Sequence, residues 1–115
     1  LEELGRAGVQ DVIVISAGFK EIGTRGAARE QKLVNLARKY QMNLLGPNCM
    51  GVFNTDAPVS FNGTFSPTLP KPGHVAYISQ SGALAVAVLE LNAHTDLGFS
   101  VFVSTGNKAD LNDTD

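Results

Sequence analysis

The sequence predicts an α/β fold in which short parallel strands alternate with crossover helices. Apolar runs at residues 12–16, 74–79 and 99–104 are typical of strands, and each is followed by a turn of small or polar residues. Helical patterns at 25–40 and 82–93 lie between strands. This alternation favours parallel pairing, because each helix packs back onto the sheet between two strands.

The first part of the chain contains four predicted elements. Residues 1–8 are typical of the last turns of a helix that ends at a glycine, and a strand follows at 12–16. Thr24 is the candidate N-cap of the helix at 25–40, and a short strand at 42–45 ends at Gly46-Pro47. That helix has an apolar face with spacings of three and four residues, formed by Leu33, Leu36, Ala37 and Tyr40.

Residues 55–72 have the composition of an irregular linker, because they contain four of the five prolines and several Ser and Thr residues. Part of this segment could pair as an edge strand, since Val59, Phe61 and Phe65 alternate with polar residues. We place a domain boundary near Lys71.

The predicted boundary separates parts of two parallel-sheet domains, at residues 1–70 and 71–115. The second part predicts a strand, a helix and a strand at 74–79, 82–93 and 99–104. Its helix is apolar on nearly every side, which is typical of a helix packed between other elements. The chain starts without Met inside a helical pattern and stops just after a strand. We therefore expect a piece of a longer polypeptide, with part of this helix exposed.

Composition excludes several classes of function. The net charge is −2, with 9 Lys and Arg against 11 Asp and Glu, so nothing favours a nucleic acid partner. No apolar run approaches the roughly 18 residues of a membrane span. Cys49 is the only cysteine, which rules out an internal disulfide and fits a reducing, cytoplasmic compartment.

The most informative motif is Ser79-Gln80-Ser81-Gly82, between an apolar strand and the start of a helix. Backbone N–H groups at a helix N-terminus are unpaired and carry partial positive charge, so they suit an anion such as a phosphoryl group or carboxylate. The alternative interpretation is an ordinary capped helix, because Ser is a good N-cap.

Three further motifs follow predicted strands, where open α/β sheets bind ligands. Each of them could instead be a turn that packing requires. Cys49 lies in the motif at residues 46–51. No neighbouring residue in the sequence would lower its pKa, so we interpret it as a buried, inert thiol. The motifs are Ile15-Ser16-Ala17-Gly18, Gly46-Pro47-Asn48-Cys49-Met50-Gly51 and Gly106-Asn107-Lys108-Ala109-Asp110.

In this order and spacing, the four motifs resemble the NDP-forming (ADP-forming) acyl-CoA synthetases, or acetate–CoA ligases, over nearly the whole chain. They are similar more distantly to the α subunit of succinyl-CoA synthetase. The resemblance implies that residues 1–70 end a Rossmann-like CoA-binding domain with its linker, and that 71–115 begin a flavodoxin-like ligase domain. It implies CoA contacts at Ile15, Ser16, Ala17, Gly18 and Asn48.

The implied reaction is acyl-CoA + ADP + phosphate ⇌ acid + CoA + ATP, through an acyl phosphate and a phosphohistidine. The resemblance places the reactive histidine beyond Asp115, so no catalytic residue is expected within this chain. His74 and His94 are then structural or surface residues. The resemblance further implies that the turn before the second helix faces the phosphohistidine, through Ser79, Gln80, Ser81 and Gly82. Further candidates for the site are Gly106, Asn107 and Lys108. The charge of Lys108 could neutralise a carboxylate or phosphate.

Two departures from the succinyl-type pattern concern the substrates. That family has Thr-Glu where this chain has Ser16-Ala17, which removes a carboxylate from the CoA side. It also has Tyr where this chain has Val86, which argues against succinate as the substrate. The acyl group and the choice between ADP and GDP stay open.

The resemblance implies that ATP or ADP and Mg²⁺ bind an ATP-grasp module, as another domain or a β subunit, in an oligomeric enzyme. The sequence shows neither metal-ligand spacing nor a Walker motif. An alternative is a regulatory module of a fused protein acetyltransferase, and another is a CoA- or nucleotide-sensing module without chemistry. A plain NAD-binding domain is disfavoured, because no Gly-X-Gly-X-X-Gly is present.

Overall fold

The computed structural model describes residues 1–66, 70–92 and 94–115. It confirms the α/β class. Residues 67–69, inside the predicted linker, and Ala93, the predicted end of the second long helix, lie outside the described residues. A short 3₁₀ helix at Lys20–Ile22 precedes α2. The other elements are α1 Glu2–Arg6, β1 Asp11–Ile13, α2 Thr24–Lys39, β2 Asn43–Leu45, β3 Gly51–Asn54, β4 Phe61–Thr64, β5 Pro72–Ser79, α3 Gly82–Asn92 and β6 Phe99–Ser104.

The first sheet contains β1 and β2, which pair in parallel as predicted. Helix α2 covers it, and its buried side chains pack with Met42 and Leu44. The buried stripe of α2 is shifted from the predicted one, because it includes the charged Glu30. Thr24 is the first residue of the helix rather than its N-cap, and no described side chain caps that end. The residues of α2 that are buried are Gly26, Glu30, Val34 and Ala37.

The second sheet is mixed, with the strand order β4-β3-β6-β5. Strands β5 and β6 pair in parallel, as predicted, whereas β3 runs antiparallel to both β6 and β4. The predicted edge strand exists as β4, but the apolar residues that predicted it are exposed: Val59, Phe61 and Phe65. Strand β3 was not predicted, since four residues carry too short a pattern. Pairing with β6 forms it, and Phe53 stacks on Phe102 with ring centroids 5.3 Å apart.

A second core lies between this sheet and α3. The inner side of α3 is buried through Ala85 and Leu89, while Leu84 and Leu91 on its other side are 57% and 71% exposed. The outward apolar face therefore lies open, as the pattern predicted. No helix among the described residues is both long and apolar enough to cross a membrane.

The sheet continues across the predicted boundary, since β3 and β4 precede Lys71 and β5 and β6 follow it. The two hydrophobic clusters nevertheless stay separate. The boundary itself remains a prediction.

Candidate functional site

The loops after β1, β2 and β6 meet at one edge of the molecule. The N–H of Asn48 donates to the carbonyl of Ser16 at 3.0 Å, which joins the first two loops. The N–H of Asn107 donates to the carbonyl of Pro47 at 2.8 Å, which joins the third. The carboxyl ends of strands in both sheets thus face the same region, although the motifs are far apart in the sequence.

The turn after β5 joins the same edge, because the N–H of Thr105 donates to the carbonyl of Ser79 at 2.9 Å. The buried hydroxyl of Ser104 accepts from the N–H of Met50 at 2.9 Å. All four predicted motifs are therefore neighbours in space.

The loop after β1 forms a ridge on the surface, with Ile15, Ser16 and Ala17 exposed. Its turn is held by a carboxylate that the sequence analysis did not single out, because Glu21 Oε1 accepts from the N–H groups of Gly18 and Phe19. From α2, Arg29 Nη1 donates to the carbonyl of Gly18 at 3.3 Å. The three exposed residues of this ridge are predicted CoA contacts.

The loop after β2 places Asn48 against the loop after β6. Asn48 has φ 57°, and its Nδ2 donates to Asn107 Oδ1 at 3.3 Å. Cys49 is buried, and its thiol lies 3.4 Å from the carbonyl of Val14 as a donor. Burial raises the pKa of Cys49, so the thiolate needed for nucleophilic attack is disfavoured.

The turn before α3 forms the helix cap that one interpretation of its motif predicted, while the anion site stays a prediction. Ser81 is the helix cap, since its Oγ accepts from the N–H of Leu84 at 3.2 Å. The Oγ of Ser79 donates to the carbonyl of Ser81 at 3.0 Å. Within the described part of the chain, the N–H groups of Gly82 and Ala83 have no acceptor. These two amides remain available to an anion.

A cleft of about 680 Å³ lies beside this turn, lined by Gln80, Thr105 and Lys108 among others. Thr105 is 4% exposed, and its Oγ1 has no hydrogen-bond partner among the described residues. Lys108 forms an ion pair with Asp113, so its charge is already matched here. The Oγ1 of Thr105 is itself buried, so it does not stand on the open wall of the cleft.

Asn107 lies at the centre of a polar cluster that sequence reasoning missed. Its Nδ2 donates to Glu21 Oε2 at 2.7 Å and to Glu30 Oε2 at 2.8 Å. The bond from Asn107, with those from Phe19 and Gly18, lowers the pKa of Glu21 to about 2. No local signal could have revealed these partners, because they lie 86 and 77 positions away.

Both histidines, His74 and His94, are exposed and outside this edge. Among the described residues, no group of three His, Cys, Asp or Glu side chains could hold a metal ion.

Taken together, the mixed and parallel sheets and the joined strand-end loops define an α/β protein with a candidate site at the carboxyl ends of its strands. Residues 72–115 match the model of the succinyl-CoA ligase like flavodoxin domain. The chain belongs to the ADP-forming acyl-CoA synthetase family, as its relatives show. It is 46% identical over its whole length to a 4-hydroxybutyrate–CoA ligase (ADP-forming) of Nitrosopumilus maritimus. It is 50% identical to subunit alpha of acetate–CoA ligase (ADP-forming) I of Pyrococcus furiosus, again over its whole length.

A solved structure supports the same assignment. The dinucleotide forming acetyl-coenzyme A synthetase 1 of Candidatus Korarchaeum cryptofilum, in complex with phosphate and ADP, is 45% identical and superposes with a TM-score of 0.89. The match covers 97% of this chain and 23% of that one. The chain likewise spans 16% and 24% of the length of the two relatives.

Proposed function

We propose that this chain is the segment of a longer ADP-forming acyl-CoA synthetase that presents CoA-binding loops and an anion-binding helix N-terminus to each other. The whole enzyme would interconvert acyl-CoA, ADP and phosphate with the free acid, CoA and ATP. The observation that carries the proposal is the junction of the four motif loops at one edge, through the Asn48–Ser16, Asn107–Pro47 and Thr105–Ser79 backbone bonds.

The exposed ridge after β1 fits CoA. Small or apolar side chains stand at its surface, and nothing bulky covers Ser16 or Ala17. CoA, when bound, supplies the thiol that carries the acyl group. The residues of this chain that would hold it are Ile15, Ser16, Ala17, Gly18 and Asn48.

The start of α3 fits a phosphoryl or carboxylate anion. Among the residues that the structure describes, no acceptor pairs with the N–H groups of Gly82 and Ala83. The hydroxyl proton of Ser81 is not needed for the cap, which uses the oxygen as acceptor. The helix dipole adds partial positive charge at the same point. Gln80 lines the cleft beside it. These groups would bind and orient the anion.

The relatives bear on the remaining parts of the enzyme. One is named for 4-hydroxybutyrate and another for acetate, so family membership leaves the acyl group open. The name subunit alpha supports a partner chain, for which we propose an ATP-grasp β subunit or fused domain that binds ADP and Mg²⁺ in an oligomer. Both of these relatives are named ligases, which favours a ligase over an acetyltransferase module. We place the enzyme in the cytoplasm.

Assay of the full-length protein tests this function. We expect ATP formation from acetyl-CoA or another short acyl-CoA that requires both ADP and phosphate. A coupled assay with each component omitted in turn measures it. Absence of ATP formation across a panel of acyl-CoA substrates, in a folded protein with its partner subunit, would contradict the proposal.

A further inference from the structure

Asn107 uses every one of its polar groups within the protein. It is 7% exposed and lies in the loop after β6. Its N–H donates to the carbonyl of Pro47, and its own carbonyl accepts from Lys20 Nζ. Its side-chain oxygen accepts from Asn48. This residue therefore ties the loop after β6 to the loop after β2 and to the segment after β1.

The side-chain NH₂ of Asn107 serves two carboxylates at once. Glu21 Oε2 and Glu30 Oε2 each accept one of its protons, at 2.7 and 2.8 Å. Lys20 is the cation that faces the pair, and it forms an ion pair with Glu30 at 3.4 Å. An oxygen in place of this nitrogen could donate no bond and would face two negative oxygens. The cluster thus requires an amide at this position.

Glu21 connects Asn107 to the ridge after β1. Its other carboxylate oxygen accepts hydrogen bonds from the N–H groups of Gly18 and Phe19. Charge-assisted bonds of this kind are roughly twice as strong as neutral ones. The position of the Glu21 carboxylate therefore sets the conformation of the turn at Gly18 and Phe19. Since Asn107 fixes that carboxylate from the opposite side, the conformation of the ridge depends on a residue from the other end of the chain.

We infer that Asn107 is a positioning residue for CoA, which holds the Gly18 turn through Glu21 and holds Asn48 directly. The inference rests on the proposed function, because that function places CoA against these two loops. It gives Asn107 a role in CoA affinity without contact with CoA.

The test uses the full-length enzyme with its partner subunit. Asn107→Asp is close to isosteric but replaces the two donors with a third carboxylate. We expect the Kd for CoA, measured by calorimetry, and the KM for CoA to rise about tenfold or more, while the KM for ADP stays within about twofold. Asn35→Asp makes the same charge change on the exposed face of α2 and should leave all three constants unchanged.

Glu21→Gln provides a second variant that does not threaten folding, because Glu21 is exposed. It weakens the bonds to Gly18 and Phe19, so the Kd for CoA should rise several-fold. If Asn107→Asp does not fold, the CoA affinity of Glu21→Gln alone tests the inference. Parent-like CoA affinity in the folded variants would overturn the inference, and so would equal rises in the KM for CoA and ADP. A parent enzyme that binds no CoA would instead contradict the proposed function.

Discussion

Asn48 and Lys108 have left-handed backbone conformations, with φ 57° and 52°, and both lie in the loops that meet at the candidate site. Such conformations cost non-glycine residues free energy, least so for Asn, and persist only where surrounding contacts hold them. Gly106 shares this conformation at φ 56°, and a Cβ there would lie 2.3 Å from the carbonyl oxygen of Pro47. Among the described residues, two of the three non-glycine residues with positive φ thus lie where the loops are joined, and the third, Gln41, follows α2.

Ala17 provides a direct test of the CoA-side ridge. In the full-length enzyme, Ala17→Phe should weaken CoA binding by at least about tenfold, because an exposed methyl becomes a ring that excludes the cofactor. Phosphorylation of the protein by labelled ATP should change little. Calorimetry measures the first effect, and Ala7→Phe, at the exposed residue that follows α1, is the control. Parent-like CoA affinity in a folded Ala17→Phe variant would remove this ridge from the site.

Cys49 should be unreactive in the folded protein. Burial hides the sulfur of Cys49 and raises its pKa, so the thiolate is disfavoured. We expect iodoacetamide to modify it only slowly under native conditions and rapidly in denaturant, as followed by mass spectrometry. Rapid native alkylation would show that the thiol is accessible and would reopen a nucleophilic role.

At the scale of elements, the N-terminus of α3 relates the Ser-Gln-Ser-Gly motif most directly to the candidate anion site. The N–H groups of the first turn of α3 need acceptors, and Ser81 provides two: its Oγ accepts from Leu84 and its carbonyl accepts from Ala85. Gly82 keeps the approach to the remaining amides open. A Cβ added there would lie 3.8 Å from the Cβ of Met50, an ordinary contact, so the fold does not require glycine at this position.

Substitutions at Gly82 and Ser81 distinguish a helix-capping role of the turn before α3 from an anion-binding role. Gly82→Ala should fold like the parent, whereas Gly82→Val should slow phosphorylation of the full-length enzyme by labelled ATP, because its branched side chain blocks the amides. Ser81→Ala removes the cap, at a cost of about 1 kcal/mol of stability, and one charge-assisted bond. Its phosphorylation should slow by about ten- to a hundredfold. Folded Ser81→Ala and Gly82→Val variants that both react at the parent rate would leave the turn with a capping role alone.

At the scale of the whole molecule, two small cores are joined by loop contacts, and one apolar face is open. Leu84 and Leu91 lie outward on α3, at 57% and 71% exposure. Exposed apolar surface of this kind favours association.

The 115-residue chain expressed alone should therefore associate. We expect sedimentation velocity at micromolar concentration to show oligomers or aggregates. Replacing both Leu84 and Leu91 with Gln should reduce association without lowering the melting temperature, because neither side chain is in the core. Lys32→Gln, on the exposed surface of α2, should leave association unchanged. A clean monomer with a sharp thermal transition would contradict this expectation.

Local pattern was enough to predict some elements and not others. The strand at 99–104 has the predicted bounds, and β5 and the start of α3 lie close to theirs, because each is an apolar run ended by turn residues. Strand β3 was missed, since its pairing of Val52 with Val103 is what makes it a strand. Glu30 was missed as a buried residue, because a carboxylate on a helix is ordinarily exposed unless it has partners.

The sequence by itself determined the family, through the order and spacing of four motifs, and it determined which turns stand at strand ends. Only the tertiary structure decided that these turns touch one another. It also showed that the side-chain amide of Asn107, which the sequence indicated only as a possible site residue, donates to Glu21 and Glu30. The physical reason is range: helix and strand patterns depend on neighbours a few positions away, whereas this hydrogen-bond cluster joins residues whose proximity exists only once both sheets are in place.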